Sequence, residues 1–248
     1  MEAAELGAFM LSACAVVALL EHPSSFLHPL LPDPLVRRVL IGVAMGITAI
    51  AIIYSPWGKQ SGAHFNPAVT LAFFRLGKVA PWDAAFYVAA QFVGATAGVV
   101  LSAFVLGERI AHPSVNYVVT LPGNAGVAAA FVAETVLALG MMTLVLNASN
   151  TPRVARFTGV FAGLLVATYI SLEAPVSGMS INPARTFGPA AVAQIWTALW
   201  IYFAAPPLGM LLATELYLRT RGARGVDCAK LHHQNDKRCI FCLYQHGG

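Results

Sequence analysis

The tripeptide Asn-Pro-Ala occurs twice, at Asn66-Pro67-Ala68 and at Asn182-Pro183-Ala184, and each copy is bordered by apolar runs long enough to cross a lipid bilayer. Asn is a strong helix N-cap. Pro is favoured at the first helical position, where the N–H it lacks would have no partner. Each copy therefore starts a helix. The helix-compatible stretches are 67–76 and 183–193; about ten residues rise only about 15 Å, half of a hydrocarbon core. They are expected to enter the membrane and stop midway. The stretches before them, Ser61-Gly62-Ala63-His64-Phe65 and Ser177-Gly178-Met179-Ser180-Ile181, are small and polar. Non-helical backbone is tolerated at membrane depth only where it is buried in protein or lines water.

Of the 248 residues, 58% are hydrophobic and 10% charged, against about 25% charged in soluble domains. Spans are expected at roughly 3–20, 36–54, 82–106, 126–146, 155–172 and 195–218, each near the length a crossing helix needs. The fold class is an all-α membrane protein with six transmembrane helices and two re-entrant half-helices. Three spans per half is an odd number, so the second half enters from the opposite face as an inverted repeat. Repeat one is placed at 1–115 and repeat two at 125–222, together a channel domain 1–222, followed by a Cys- and His-containing tail 223–248. The chain opens Met-Glu-Ala-Ala-Glu with no basic segment, so the first run is expected to be a retained span. All Lys and Arg except Arg37, Arg38, Arg109 and Arg185 fall on the side that receives both termini, which predicts cytoplasmic termini. The net charge of +4 reflects that bias, and no nucleic-acid partner is expected. Cys14 lies in the first span and Cys228, Cys239 and Cys242 in the tail, where thiols stay reduced.

Residues 61–70 (Ser-Gly-Ala-His-Phe-Asn-Pro-Ala-Val-Thr) and 181–190 (Ile-Asn-Pro-Ala-Arg-Thr-Phe-Gly-Pro-Ala) resemble the two signature loops of the aquaporin, or major intrinsic protein, family, and the paired Ala4-Glu5 and Ala133-Glu134 fit it too. The resemblance spans about residues 1–222 and is to a bacterial-type member. It implies a passive water channel in the cell (inner) membrane, surrounded by lipid bilayer and assembled as a homotetramer with one pore per protomer. The half-helices would meet N-terminus to N-terminus, each carrying about half a positive charge, which disfavours cations and protons at the centre. Asn66 and Asn182 would turn side-chain donors into the lumen; the alternative is that they only cap their helices. Arg185 lies at membrane depth, where charges are functional by default, and resembles the family's filter arginine; the alternative is an arginine reaching the interface. The other filter positions fall on Met179, Ile170 and either Met45 or Gly46, since the loop 54–61 leaves that count ambiguous by one. The carbonyls of Gly62, Ala63 and His64, and of Gly178, Met179 and Ser180, would line the two half-pores. Glu5 and Glu134 would brace the re-entrant loops by accepting from their backbone.

The indicators of solute conflict. Ile170 stands where water-specific members usually have His, and an apolar wall opposite an arginine suits glycerol. Thr186, Ala190 and the Tyr202-Phe203 pair follow the water type instead. Water is expected, with leakage of small neutral solutes such as peroxide, ammonia, metalloid acids or glycerol. An aquaglyceroporin-like or metalloid facilitator is the alternative; an ion-coupled transporter would need titratable groups at the midplane, where the motifs offer only Asn. The spans contain no nucleophile–base pair, so no enzyme and no catalytic cofactor are expected. In the tail, Arg219, Arg221 and Arg224 read as an anchor to anionic lipid. Cys228, His232, His233, Cys239 and Cys242, with a C-x-x-C spacing, suit Zn²⁺; the alternative is a tail that packs under the pore mouth.

Overall fold

The computed structural model describes residues 1–222 and 225–242; Arg224 and residues 223 and 243–248 of the expected tail lie outside them. Among the described residues the regular structure is helical throughout. Helices α1 (Glu2–Glu21), α2 (Pro34–Tyr54), α5 (Pro81–Leu106), α6 (Gly126–Ser149), α7 (Thr158–Ser177) and α9 (Leu199–Arg221) are long and apolar enough to cross a membrane. Between them lie the six-residue α3 (Pro56–Ser61) and the half-helices α4 (Pro67–Arg75) and α8 (Pro183–Ala193), nine and eleven residues long. The chain is an integral membrane protein.

Local chemistry sets the helix starts. Pro occupies the first turn of α2, α3, α4, α5 and α8. Asp33, Ser55, Asn66 and Asn182 accept first-turn N–H groups with their side chains. The last two spans begin later than the hydropathy suggests. A 3₁₀ turn at Ala155–Phe157 takes the first residues of one, and the chain reaches the other only after Ala198, which is left-handed. The fifth span also continues past Glu173, whose side chain accepts from the Ser177 hydroxyl within the same helix.

The packing obeys an exchange of the two halves. The most extensive contacts are α1 with α5, α6 with α9, and α2 with α7; α4 lies chiefly on α9 and α8 chiefly on α5. Swapping α1, α2, α4 and α5 for α6, α7, α8 and α9 maps this set onto itself, as an inverted repeat requires. The α2–α7 seam lies on the pseudo-axis, where the backbones touch. A Cβ on Gly46 would stand 2.5 Å from the Gly163 carbonyl oxygen, and one on Gly163 would stand 2.6 Å from that of Gly46. Small residues permit such crossings because lipid supplies no hydrophobic force to bring helices together. Large apolar side chains such as Phe86, Phe104 and Leu172 are left on the outside, facing what the bilayer would occupy. Beyond α9 the tail turns back beneath the bundle, where Val226, Ala229 and Leu231 join the central core.

The seam yields a stability prediction. Gly163→Val should destabilise the protein by about 1–3 kcal/mol, the usual range for overpacking, read as a lowered thermal midpoint in detergent. An unchanged midpoint would mean that the α2–α7 approach is not limiting.

Candidate functional site

The two half-helices are fastened to each other at their starts. Asn66 Oδ1 accepts the Ala68 N–H at 2.9 Å, and Asn182 Oδ1 accepts those of Ala184 and Arg185, both at 3.1 Å. Each amide then donates across the midplane: Asn66 Nδ2 to the Ile181 carbonyl and Asn182 Nδ2 to the Phe65 carbonyl, both at 2.8 Å. A primary amide has two N–H donors, so each Asn retains one beyond this cross-bond. Both side chains border an internal cavity of ≈ 410 Å³. The loops that deliver them are strained. Ala63, Phe65, Met179 and Ile181 all have positive φ, a conformation that costs of order 1–3 kcal/mol per non-glycine residue and persists only when the surroundings enforce it.

Buried carboxylates supply part of that enforcement. Glu134 accepts the Ser180 N–H at 2.7 Å on one oxygen and the Ile181 N–H at 2.6 Å on the other, with the Ser177 hydroxyl at 2.7 Å. In the first repeat the equivalent bonds run to Glu2, not to Glu5: His64 N–H at 3.1 Å and Phe65 N–H at 2.7 Å. Gln91 also donates to Glu2, at 2.6 Å. Glu5 accepts the Ser61 hydroxyl at 2.7 Å. The expected brace at Glu5 is thus corrected to Glu2. The two residues lie one turn apart on the same face of α1, so an Ala-Glu match cannot tell which reaches the loop backbone. Their i, i+3 spacing was the signal that both face inward.

The cavity is lined by one face of α2 (Ile41, Met45, Ala49 and Ile53) and one face of α7 (Ala162, Val166, Ile170 and Ala174), and enclosed by Phe9, Ala13 and Val17 of α1 and Met141 and Val145 of α6. Its polar elements sit at the two Asn residues, at the loops carrying His64 and Ser180, at Arg185, and at the end remote from the tail, where Glu21 and Arg38 border it. Arg185 is held inward by the 118–120 connection, donating to the Val118 carbonyl at 3.1 Å and to the Thr120 hydroxyl. Arg38 donates to the Ser171 carbonyl at 2.9 Å.

Three wall expectations change. Gly46 faces the Gly163 backbone and is absent from the lining. Gly42 lies against Ala167 and Ser171, and Gly46 against Gly163 and Ala167, so the residue level with Ile170 is Ile41. Met45 does line the cavity, but about one turn deeper, near Val166. The short helix α3 lengthens the connection between α2 and the loop, and a count backwards across it lands too deep. Gly62 and Ala63 are also absent from the lining, whereas His64, Gly178, Met179 and Ser180 are present. The Gly62 carbonyl instead accepts the Leu231 N–H at 3.1 Å. The His64 ring is enclosed, with Nδ1 3.1 Å from the Thr70 hydroxyl and Nε2 donating to the Ala229 carbonyl at 2.6 Å, between the rings of Phe73 and Phe241.

In the tail, Cys228, His233, Cys239 and Cys242 bring one ligand atom each to within 4.8 Å of one another. His232 is not of this group: its ring lies edge-on to Tyr54 and its Nδ1 is buried without a hydrogen bond. Adjacent residues in a turn point apart, so only one of the two His can join the cluster. Burial, with Lys59 and Lys230 nearby, holds the His232 ring below its ordinary pKa. A hydrogen bond from Cys228 pulls the Cys239 thiol well below its usual range, while Cys228 is raised by the same shared proton.

Glu2, Ile41, Thr120 and Leu231 were not singled out from sequence. Glu2 carried a signal, as noted; Ile41 was hidden by the α3 insertion; Thr120 and Leu231 lie in irregular segments where no periodicity points inward.

The family profile described as Major intrinsic protein matches residues 4–217. Aquaporin NIP1-4 of Oryza sativa subsp. japonica is 38% identical over 188 residues, covering 74% of this chain and 66% of the relative. Aquaporin NIP6-1 of Arabidopsis thaliana is 36% identical over 183 residues, covering 73% and 58%, and aquaporin TIP4-4 of Zea mays is 35% identical over 181 residues, covering 72% and 70%. The chain thus spans just under two thirds or less of the first two relatives. The X-ray structure of the aquaglyceroporin from Plasmodium falciparum superposes with a TM-score of 0.69 at 18% identity, covering 88% of this chain and 93% of that one; this is a likeness of fold.

The brace assignment is testable. Glu2→Ala and Glu134→Ala each strand two loop N–H groups, at a cost of about 1–3 kcal/mol per group. Glu5→Ala strands only a hydroxyl that can rotate. Thermal unfolding in detergent should rank Glu2→Ala and Glu134→Ala well below Glu5→Ala; the reverse order would return the brace to Glu5.

Proposed function

The chain belongs to the major intrinsic protein family, and from that premise we propose that it is a passive transmembrane channel for water that also admits small neutral solutes and excludes protons and ions. One observation carries the reading: at the centre of a mostly apolar cavity, Asn66 and Asn182 are cross-bonded to the opposite loops and each has one N–H to spare. Two such donors bind the oxygen of a passing water, so its protons point away and no hydrogen-bonded wire runs through the midplane. The opposed half-helix N-termini add positive potential there. Arg185 repeats that barrier toward the far end.

Selectivity is assigned to Arg185, Met179, Ile170 and Ile41, three apolar walls and one cation. This set is less hydrophilic than a water-only constriction requires. A second reading, a facilitator of glycerol, peroxide, ammonia or metalloid acids, is favoured by the same apolar walls. Ion-coupled transport is disfavoured because Glu2, Glu5 and Glu134 are engaged with the loops and do not border the cavity. The relatives carry channel names, which supports a non-enzymatic role. The Lys and Arg bias supports cytoplasmic termini in the cell membrane, with Arg219 and Arg221 at the lipid interface. The apolar exterior fits a bilayer and a homotetramer with one pore per protomer. The channel unit is 1–222, with repeats 1–115 and 125–222. In the tail, Cys228, His233, Cys239 and Cys242 form a closed N/S set suited to a structural Zn²⁺.

Stopped-flow osmotic shrinkage of proteoliposomes tests this, on protein treated with a metal chelator so that the tail ion does not bear on the outcome. Water should pass much faster than through empty liposomes, and glycerol more slowly than water; water flux at the empty-liposome rate would reject the assignment. Arg185→Val should raise the passage of larger and charged solutes, and unchanged selectivity would remove Arg185 from the filter.

A further inference from the structure

We propose that the tail is a metal-clasped plug. A thiolate-preferring divalent cation, Zn²⁺ by the donor set, held by Cys228, His233, Cys239 and Cys242, keeps residues 226–242 seated in the near mouth of the cavity, and loss of the ion releases them. The proposal rests on the preceding readings of the cavity as a conduit and of the cluster as a metal site, and adds that one controls the other.

The cluster has the dimensions of a tetrahedral site. Cys228 Sγ and Cys239 Sγ are 3.2 Å apart, and His233 Nε2 and Cys242 Sγ are 3.3 Å apart. Zn–S bonds of about 2.3 Å imply ligand separations of about 3.8 Å, so small side-chain adjustments admit the ion. A disulfide would need about 2.05 Å, and the cysteines are free thiols. On binding, each cysteine thiol releases its proton to solvent and coordinates as thiolate, while His233 binds through a neutral ring nitrogen. Chelation reverses these steps without any change of oxidation state.

The clasp closes a loop that carries the stopper. Between Cys228 and Cys239 lies Leu231, 5% exposed, which borders the cavity together with His64 and Ile53. Its N–H donates to the Gly62 carbonyl at 3.1 Å, and the Ala229 carbonyl accepts from His64 at 2.6 Å. Phe241 stacks on the same His64 ring. Gly62, at φ +100°, lies so close that a Cβ there would meet the Ala229 oxygen at 2.9 Å. Lys230 is 1% exposed, its ammonium donating to the Lys59 carbonyl at 2.6 Å. On the other repeat, the Asp227 N–H donates to Asn150 Oδ1 at 2.7 Å. The tail thus bridges both repeats across the mouth.

Beyond the burial of Val226, Ala229 and Leu231 and these hydrogen bonds, the described part of the tail has no regular structure to hold its shape. Residues 226–242 contain turns and irregular chain, with no helix or strand. Their ion pair to the body, Lys59 with Asp236 at 3.4 Å, is exposed, and exposed pairs contribute little. Small irregular segments depend on a metal or a disulfide for their fold. Loss of the clasp is therefore expected to loosen the contacts at Gly62 and His64.

The full-length protein in proteoliposomes tests the proposal through three readouts. Metal analysis of protein loaded with Zn²⁺ and then washed should give about one ion per chain, lost with Cys239→Ser. Trypsin cleavage after Lys230 should accelerate at least about tenfold on chelation, since cleavage tracks the population of the open form. Osmotic water flux should rise several-fold on chelation and fall again when Zn²⁺ is restored. Leu231→Ala, which shortens the stopper and leaves the clasp, should conduct while still holding its ion. Absence of bound Zn²⁺, or cleavage indifferent to chelation, overturns the clasp whatever the flux. A clasp that opens without altering flux overturns the plug, and if neither form conducts any solute the channel reading falls with it.

Discussion

The structure depends on one constraint: a peptide backbone that leaves the helical state at membrane depth must still find partners for its N–H and C=O groups. The loops 61–66 and 177–182 do so twice over. Their N–H groups go to Glu2 and Glu134. The carbonyls of Phe65 and Ile181 go to the Asn of the opposite loop. Because each loop completes the other, the two halves are assembled as a unit. Left-handed conformations at Phe65 and Ile181 are tolerable only in that setting, since they turn the carbonyls toward the partner Asn.

The same constraint explains the chemistry available inside. Carboxylates at membrane depth are costly and usually functional; here Glu2 and Glu134 accept the loop N–H groups, Glu5 accepts the Ser61 hydroxyl on one oxygen, and none of the three borders the cavity, whose middle is lined by the two Asn amides. Among the described residues no carboxylate borders the centre of the cavity, which is the condition that the proposed passage of neutral solutes without a proton carrier requires.

The parts of this architecture readable from sequence were those with a local physical signal. Hydropathy located six spans, the Asn-Pro pairs located both half-helix starts, and the odd number of spans per half required the inversion. Errors arose where a position depended on how segments stack. Glu2 and Glu5 are equivalent by sequence, and only the height of the loop against α1 separates them. Ile41 was missed because α3 sits between α2 and the loop and shifts the count by about a turn. His232 and His233 offer the same ligand atoms, and the direction of one turn decides between them. Gly62 was expected to present its carbonyl to the lumen, but the tail, whose path leaves no periodic trace, takes it first.

The pseudo-symmetry breaks at the two mouths, and the break indicates where control can reside. At the far end the cavity is bordered by Glu21 and Arg38, and Glu21 is paired at 3.0 Å with Arg37 at the start of α2. These groups belong to the spans and move only with them. At the near end the boundary is Leu231, carried by an irregular segment attached through hydrogen bonds to Gly62, His64, Lys59 and Asn150. Interior positions are fixed twice over by the exchange of the halves, so a change there costs the fold. The tail has no counterpart in the first repeat, and none of the loop–carboxylate or Asn–carbonyl bonds is made to it. On the proposed reading, the near end can open or close without displacing either the Asn pair at the midplane or the Arg185 constriction beyond it.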